Sequence, residues 1–357
     1  MNHLLYIHNT SCISPQHTFL NADIARLEES ANNKLKALEP PYPEIPAGIL
    51  RRMGRAVRMG VGAALPLLQN NHLLSGIIIG TGNGGMEDCI KFLNQIIEYD
   101  EGLLAPGNFV QSTPNAIASQ VSMLKGNKGY NITHVHSGLS FENAILDAMM
   151  QIEEFPSNNY LLGAVDDISS YNFNIDNLAG WYKKELVSNK KLYETNSPSS
   201  LAGEGSAMFL VNGVKTSALV QLEAISMLHS KDPDVIAKHL RDFIDNNSKG
   251  KGIALFLSGE NGDNRLLKFY TGCEGMLSRD VPIARFKHMT GEYQTASAVA
   301  LWIACYLLQN HDLPIHMVKR GPVHRGFRNI LIYNNYKGVQ HSFMLLSKVE
   351  SYNNEKI

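Results

Sequence analysis

Residues 129–149 constrain the fold of this chain more than any other stretch, because they predict a strand, a sharp turn and a buried helix. Ile132 and Val135 favour an extended segment, Ser137 and Gly138 supply the turn, and apolar residues then recur at helical spacing. Many α/β enzymes mount a nucleophile at such a turn, because the helix N-terminus presents free backbone N–H groups to a reacting oxygen. This turn contains no cysteine, so the central question is what chemistry it can support.

The rest of the chain alternates apolar strands with helices, which indicates an α/β fold. The predicted strands cover 3–8, 75–80, 160–167, 207–211, 217–224, 252–257, 329–333 and 342–346, and the predicted helices cover 49–70, 114–124, 233–246 and 296–308. The segment 9–48 is predicted to be irregular because of its proline cluster. The helix at 114–124 is small and apolar on all sides, which predicts burial against another backbone. The alternation occurs twice, so we expect two α/β halves with five-stranded sheets.

Composition narrows the class of protein. The net charge of −1 does not favour a nucleic-acid partner, and 44% hydrophobic residues fit a soluble globular protein with a large core. The four cysteines are scattered without a C-x-x-C pair, which predicts neither a metal site nor a disulfide framework and fits the cytoplasm. No signal peptide is expected from the N-terminal residues, and no apolar run reaches the roughly 20 residues that a membrane span needs.

The glycine-rich segment 80–85 follows an apolar strand and matches the G-x-G-x-x-G pattern of dinucleotide-binding proteins. That interpretation also requires an acidic residue closing a second strand about 20 residues later. Residues 99–107 predict a loop at that distance. We therefore expect a strand-to-helix crossing here and no bound cofactor.

The order of these signals resembles that of the β-ketoacyl synthases, the condensing enzymes of the thiolase fold. The segments that carry the resemblance are Arg51-Arg52-Met53, Gly80-Thr81-Gly82-x-Gly84-Gly85, Phe109 to Ala118 with Ser112, Pro114 and Asn115, Gly163-Ala164-x-Asp166, Ala202-Gly203-Glu204-Gly205, Lys287-x-x-x-Gly291 and Asn334-Asn335-Tyr336. The resemblance spans almost the whole chain. It implies a thiolase-like α/β fold with two similar halves, 1–213 and 214–357, that form a five-layered α-β-α-β-α core.

The three reacting side chains of that family are replaced here. In an ungapped comparison of the turn, Val135 stands where the family has its nucleophilic cysteine. Asn261 and Glu292 stand where the family has its two histidines, whereas the family's lysine is kept as Lys287. Valine holds no acyl group, and a glutamate beside Lys287 is expected to form an ion pair. We therefore expect no self-sufficient condensing activity, although the sequence leaves open whether the chain is an enzyme.

Ser137, His134 and His136 are the remaining candidates in the turn. Ser137 could carry an acyl group with His134 or His136 as base, but a serine at this position is more often a helix N-cap. The two histidines alternate and are expected to point to the same side of the strand, with Val135 opposite. A metal site would need a third ligand, and the sequence shows none. We expect both histidines to be packed and hydrogen-bonded at a subunit interface.

The resemblance implies two functions of different classes. The first is a non-condensing partner of an active ketosynthase, like a chain-length factor, that shapes a shared acyl tunnel in fatty-acid or polyketide-type biosynthesis. The similarity to ketosynthase-like proteins of aryl-polyene and flexirubin pigment pathways implies a ketosynthase and an acyl carrier protein as partners. The second is an acyltransferase, hydrolase or decarboxylase that uses Ser137 or Asn261. A homodimer that only binds an acyl chain is a third possibility, so the sequence leaves homodimer and heterodimer open.

Overall fold

The computed structural model describes residues 5–30, 32–69, 74–102, 104, 106–310, 312–322 and 326–349. The strands are β1 (Leu5–Ile13), β2 (Lys34–Leu35), β3 (Leu74–Gly80), β4 (Tyr130–His134), β5 (Asn159–Asp166), β6 (Ala202–Gly203), β7 (Gly205–Asn212), β8 (Val220–His229), β9 (Phe256–Ser258), β10 (Ile283–Arg285), β11 (Val318–Arg320), β12 (Asn329–Tyr336) and β13 (Gln340–Lys348). The α-helices are α1 (Ala47–Leu50), α2 (Arg55–Ala64), α3 (Met86–Glu98), α4 (Pro106–Gln111), α5 (Ala116–Lys125), α6 (Ser140–Glu154), α7 (Ser170–Leu178), α8 (Pro233–Asn247), α9 (Leu267–Gly275), α10 (Lys287–Thr290) and α11 (Ala296–Asn310). Short 3₁₀ turns lie at Leu65–Leu68, Ser137–Leu139, Asn189–Lys191 and Ile315–Met317. Among these residues, no helix is both long and apolar enough to cross a bilayer.

Eleven strands form one sheet in the order β11-β10-β9-β12-β13-β8-β1-β7-β5-β3-β4. The sequence predicted two separate five-stranded sheets. The two groups exist, β4-β3-β5-β7-β1 and β8-β13-β12-β9-β10, but β1 and β8 pair antiparallel and join them. The pairing between β1 and β8 is short: Leu5 lies opposite Leu222 at one end and Ile7 opposite Val220 at the other. Strand β11 extends the second group. The short join lets the two groups diverge and admit helices between them.

Three hydrophobic clusters divide the molecule into five layers. The central cluster combines α6 and α11 with strands of both groups, and most of α11 is buried. A second cluster packs α2 and α5 against the outer face of the first strand group. A third packs α8 and α9 against the outer face of the second group. The arrangement is therefore α-β-α-β-α, as the resemblance implied. The division at 213/214 falls between β7 and β8 and stays a prediction.

The sequence placed most long elements correctly but missed several boundaries. The first strand was predicted to end at residue 8, with irregular structure following, whereas β1 continues to Ile13. Residues 3 and 4 lie outside the described residues. The predicted helix 49–70 is divided into α1, α2 and a 3₁₀ turn, because Gly54 lies before α2 and Pro66 lies inside the 3₁₀ turn. Residue 70 also lies outside the described residues. The predicted strand 252–257 is only Phe256–Ser258.

The parallel strands of each group carry loops at their carboxyl ends. Strands β3, β4 and β5 run parallel, so their carboxyl ends meet. Strands β9, β10 and β12 are likewise parallel in the second group. Open α/β sheets place their sites beyond such carboxyl ends. The turn after β4, the glycine segment after β3 and the loops after β9 and β10 all lie there.

Candidate functional site

The turn between β4 and α6 exposes Val135, His136 and Ser137 in the single chain, whereas Gly138 is buried. Ser137 has a backbone φ of +53°, in the left-handed region that non-glycine residues rarely adopt. The prediction that Ser137 caps the helix is wrong, because neither the 3₁₀ turn nor α6 has a side-chain cap. Ser140 braces the turn instead. Its Oγ accepts from the backbone N–H of His136 at 2.8 Å and donates to the carbonyl of Ser137 at 2.8 Å.

Gln340, at the start of β13, ties the turn to the other half of the molecule. Its Oε1 accepts a hydrogen bond from the backbone N–H of Gly138 at 2.8 Å. Its Nε2 lies 3.3 Å from the carbonyl oxygen of His136 and 3.2 Å from Nε2 of His229. The Gly138 N–H is a donor that could otherwise stabilise an oxyanion. An internal side chain therefore occupies that donor. Sequence reasoning missed Gln340, because 202 residues separate it from Gly138.

The two histidines of the turn contact different elements. His134 Nε2 lies 2.8 Å from Oδ2 of Asp147 on α6, and the Tyr130 hydroxyl donates to the same carboxylate. His136 packs edge-on against His229 of β8, with ring centroids 5.6 Å apart. The prediction that both histidines point to one side receives no support from these contacts. Among the described residues, no three His, Cys, Asp or Glu side chains converge to hold a metal ion.

Lys287, Glu292 and Asn261 form one buried cluster. Lys287 Nζ lies 2.6 Å from Oε1 of Glu292, and Asn261 Nδ2 donates to Oε2 of Glu292 at 2.7 Å. Lys287 is 0% exposed, and the other two are buried. The ion pair expected from the sequence is thus present. The Glu292 carboxylate therefore engages donors of both the Lys287 ammonium and the Asn261 amide.

The backbone holds Glu292 in place by a close crossing of two loops. The Glu292 N–H donates to the carbonyl of Leu201 at 2.7 Å, and the Gly203 N–H donates to the carbonyl of Glu292 at 3.2 Å. A Cβ at Gly203 would lie 2.0 Å from the carbonyl oxygen of Thr290, so only glycine fits there. The glycine motif at 202–205 therefore positions Glu292 for the cluster.

Tyr336 lies between this cluster and the turn. It packs directly on Gly138, where an added Cβ would come 2.3 Å from Tyr336 Cβ. Tyr336 also lines a cavity that reaches Asn261 and Glu292, but this cavity holds only about 10 Å³. That volume is about the size of a single water probe. Lys337 closes one side of it through a 2.5 Å ion pair with Asp176. This cavity has no room for a thioester arm.

Glu142 on α6 is a buried carboxyl group that was not predicted from the sequence. It is fully buried, and its Oε1 accepts a hydrogen bond from Ser342 of β13 at 2.7 Å. Burial raises the pKa of Glu142 above its usual value. The only sequence signal was a charged residue in the first turn of a largely apolar helix. Gln340 links the turn to β13, and Glu142 links α6 to β13, so both connect the two halves.

The glycine segment after β3 is bound by a protein carboxylate. Asp166 accepts hydrogen bonds from the backbone N–H groups of Gly82 and Asn83 and from the hydroxyl groups of Thr81 and Thr295. A bound pyrophosphate would need the same backbone donors. The segment crosses from β3 to α3, as predicted, and its amides hold Asp166 in place.

Comparisons with known proteins agree with this architecture. Residues 26–175 match the family model described as the β-ketoacyl synthase N-terminal domain. This segment, less than half of the chain, is similar to that domain. Among curated proteins, no sequence matches the chain.

Solved structures extend the similarity to the fold of the whole chain. The ishigamide ketosynthase/chain length factor aligns with TM-score 0.79 and 13% identity over 98% of this chain and 100% of that chain. A type II polyketide acyl-carrier protein in complex with its ketosynthase gives TM-score 0.77 and 11% identity over 98% and 100%. A ketosynthase in complex with its chain length factor from Xenorhabdus doucetiae gives TM-score 0.74 and 13% identity over 96% and 98%. The thiolase-like ketosynthase fold and the resemblance to the β-ketoacyl synthases are therefore confirmed.

Glu292→Gln should destabilise this ketosynthase-like chain by about 3 kcal/mol, because it leaves the Lys287 ammonium buried without its counter-ion. The double variant Lys287→Met/Glu292→Gln should recover most of that loss, because both charges are then absent. Urea unfolding of the three proteins measures the difference. An unchanged unfolding midpoint for Glu292→Gln alone would show that the ion pair does not support the fold.

Asp167, next to Asp166, is a buried carboxyl group in an acidic environment. Burial, followed by the negative charges of Glu204 and Asp166, raises the pKa of Asp167 to about 7, although Arg55 opposes the shift. The pKa of an aspartate in an unfolded chain is about 3.9. The folded state therefore binds this proton more tightly than the unfolded state. The neutral form is favoured in the fold at low pH, and stability is lost as pH rises from about 4 through about 7.

Asp167→Asn should consequently raise the free energy of unfolding at pH 8, by up to about 4 kcal/mol for a shift of about three pKa units. The gain should be small near pH 4, where the aspartate is neutral in the fold and about half protonated in the unfolded chain. The exposed Asp245→Asn is the matched control and should not produce this pH dependence. Thermal unfolding at both pH values tests the sign. An equal effect of Asp167→Asn at pH 4 and pH 8 would contradict it.

Proposed function

We propose that this chain is a non-condensing, chain-length-factor-like partner of an active ketosynthase in fatty-acid or polyketide-type biosynthesis. In this role it supplies a folded subunit and part of an acyl tunnel, and its partner supplies the nucleophile. The positions that match the family's reacting residues, Val135, Asn261 and Glu292, then serve the architecture together with Lys287.

The observation that carries this proposal is the Glu292 carboxylate shared between Lys287 and Asn261. Decarboxylative condensation requires donors that face the substrate carbonyl as negative charge develops on it. Here the amide and the ammonium both face Glu292, whose own charge would oppose an enolate. The cavity beside them, of about 10 Å³, excludes a thioester. A decarboxylase that uses Asn261 would need this cluster to be dismantled.

The surface around β4 supports a partner subunit. Among the described strands, β4 ends the sheet and pairs only with β3, so its outer edge is open. Side chains of β4 and α5 bind each other, with Asn131 Nδ2 donating to Ser122 Oγ at 2.6 Å. Exposed apolar side chains in and near these elements are Phe109, Val110, Met123, Tyr130 and Val135. Open strand edges and apolar patches are typical of protein interfaces. The sequence predicted that the helix 114–124 is buried on all sides, and this is wrong for the single chain. We propose that its exposed side forms the interface with the partner.

The partners we propose follow from this surface and from the similar structures. One of those structures contains a ketosynthase with its chain length factor, and another contains an acyl-carrier protein with its ketosynthase. We propose a cysteine-bearing ketosynthase as the direct partner, in a heterodimer, and an acyl carrier protein as the donor of the acyl chain. The four cysteines are unpaired, which fits the reducing cytoplasm that we propose as the location.

The φ of Ser137 favours a second candidate function. Strained backbone angles cluster at functional turns, and nucleophilic serines are often mounted this way. An acyltransferase or hydrolase could therefore form an ester on Ser137, with the neighbouring His136 as base. The Gly138 N–H, however, is engaged by Gln340, so this candidate would need Gln340 to move before an oxyanion could be stabilised.

Co-expression with a cysteine-bearing ketosynthase from the same genome should yield a one-to-one complex on size-exclusion chromatography with light scattering. The variant Val110→Asp/Met123→Asp should abolish that complex, because it places two charges on the proposed interface, where Met123 is 76% exposed. The isolated variant should keep the unfolding temperature of the wild type, because both side chains are exposed.

The matched control is Leu178→Asp/Ile315→Asp. These apolar residues are equally exposed, at 86% and 76%, but belong to α7 and a 3₁₀ turn. The control should leave the complex intact. Loss of the complex in both variants would show that the interface cannot be assigned to the surface around β4. No complex with the ketosynthase under any condition would contradict the partner role itself.

A further inference from the structure

A large cavity lies at the opposite end of the strands from the candidate site. It has a volume of about 680 Å³ and is lined by the start of β8 and β12, the end of β13 and the loop after α8. β13 runs from Gln340, beside the turn, to Lys348, beside this cavity. At a rise of about 3.4 Å per residue, those two positions are about 27 Å apart. The cavity is therefore separate from the site described above.

The lining of this cavity is strongly basic, although the whole chain has a net charge of only −1. One carboxylate, Glu223, faces it. Among the described residues, the cationic side chains that line it are Lys215, Lys249, Lys251, Arg328 and Lys348. Cationic side chains thus outnumber carboxylates in the described lining. Glu223 lies 3.7 Å from Lys249 Nζ, at the outer limit of an ion pair. Charges of one sign around a concave surface focus the field and attract counter-ions.

The wall of the cavity is well ordered by hydrogen bonds. Asn329 is buried, and its Oδ1 accepts from the N–H of Ala254 at 2.7 Å while its Nδ2 donates to the carbonyl of Gly252 at 2.9 Å. The Lys348 N–H donates to the carbonyl of Arg328 at 3.0 Å. The loop that carries Lys251 is therefore fixed to the sheet, and the basic residues surround a preformed hollow.

We propose that this cavity binds a small molecule that carries two or more phosphate groups. Its volume lies in the range of small-ligand sites, which is about 300–1,000 Å³. Lysine and arginine are the side chains that bind phosphate, through charge-assisted hydrogen bonds. The described lining contains no aromatic residue, so recognition depends on the phosphates and not on stacking with a base. This inference does not rest on the proposed function.

Isothermal titration calorimetry of the full chain with inorganic triphosphate, ATP and adenosine tests the proposal. Triphosphate and ATP should bind with similar affinity, and adenosine should not bind. Raising NaCl from about 50 to about 200 mM should weaken binding by about three- to tenfold, because the charges are partly exposed. Lys249→Glu/Lys251→Glu should weaken it by at least about tenfold.

The control variant Lys184→Glu/Lys231→Glu makes the same change in net charge at two exposed lysines outside the cavity. It should leave the affinity for triphosphate within about twofold of the wild type, because screening limits the influence of remote charges. Equal weakening by both variants would overturn the proposal in favour of a nonspecific charge effect. Binding of anionic phospholipid vesicles without binding of triphosphate would overturn it in favour of a membrane surface.

Discussion

The Glu292 carboxylate is the interaction on which this account depends. It lies between Lys287 and Asn261 in the buried interior, and it accepts from both. A buried ammonium is costly unless a counter-ion lies beside it, and a buried carboxylate is costly for the same reason. The pair is therefore stable only as a unit. A carboxylate at this position turns the surrounding donors inward, so the groups that could polarise a substrate stabilise the protein instead.

In the turn after β4, internal side chains likewise bind backbone groups that a substrate could use. The backbone N–H groups of His136 and Gly138 are bound by Ser140 and Gln340, and Tyr336 packs on Gly138. Gln340 and Tyr336 belong to the second half of the chain, so the turn connects the two halves across the central layer. The outer side of β4 is left open. A closed interior and an open edge are together what a subunit needs if its surface, and not its own chemistry, serves the assembly.

The sequence predicted those features that depend on neighbours along the chain. The strand, turn and helix at 129–149 follow from local periodicity, and the pairing of Lys287 with Glu292 follows from five residues of separation. Contacts between distant segments were not predictable. Gln340 reaches the turn across 202 residues, and no local pattern marks it. The division of the 49–70 helix also depends on context, because its apolar spacing continues past Gly54. The N-cap prediction for Ser137 was wrong because Ser140 satisfies the turn from inside the helix.

The most direct test of the central claim is intact-protein mass spectrometry after incubation with an acyl-carrier thioester. If the site is closed and the nucleophile belongs to another chain, the mass of the denatured protein will be unchanged. The partner ketosynthase in the same mixture will gain one acyl group. An acyl group on this chain that survives denaturation and is absent from Ser137→Ala would contradict the account and establish the turn as a nucleophile site.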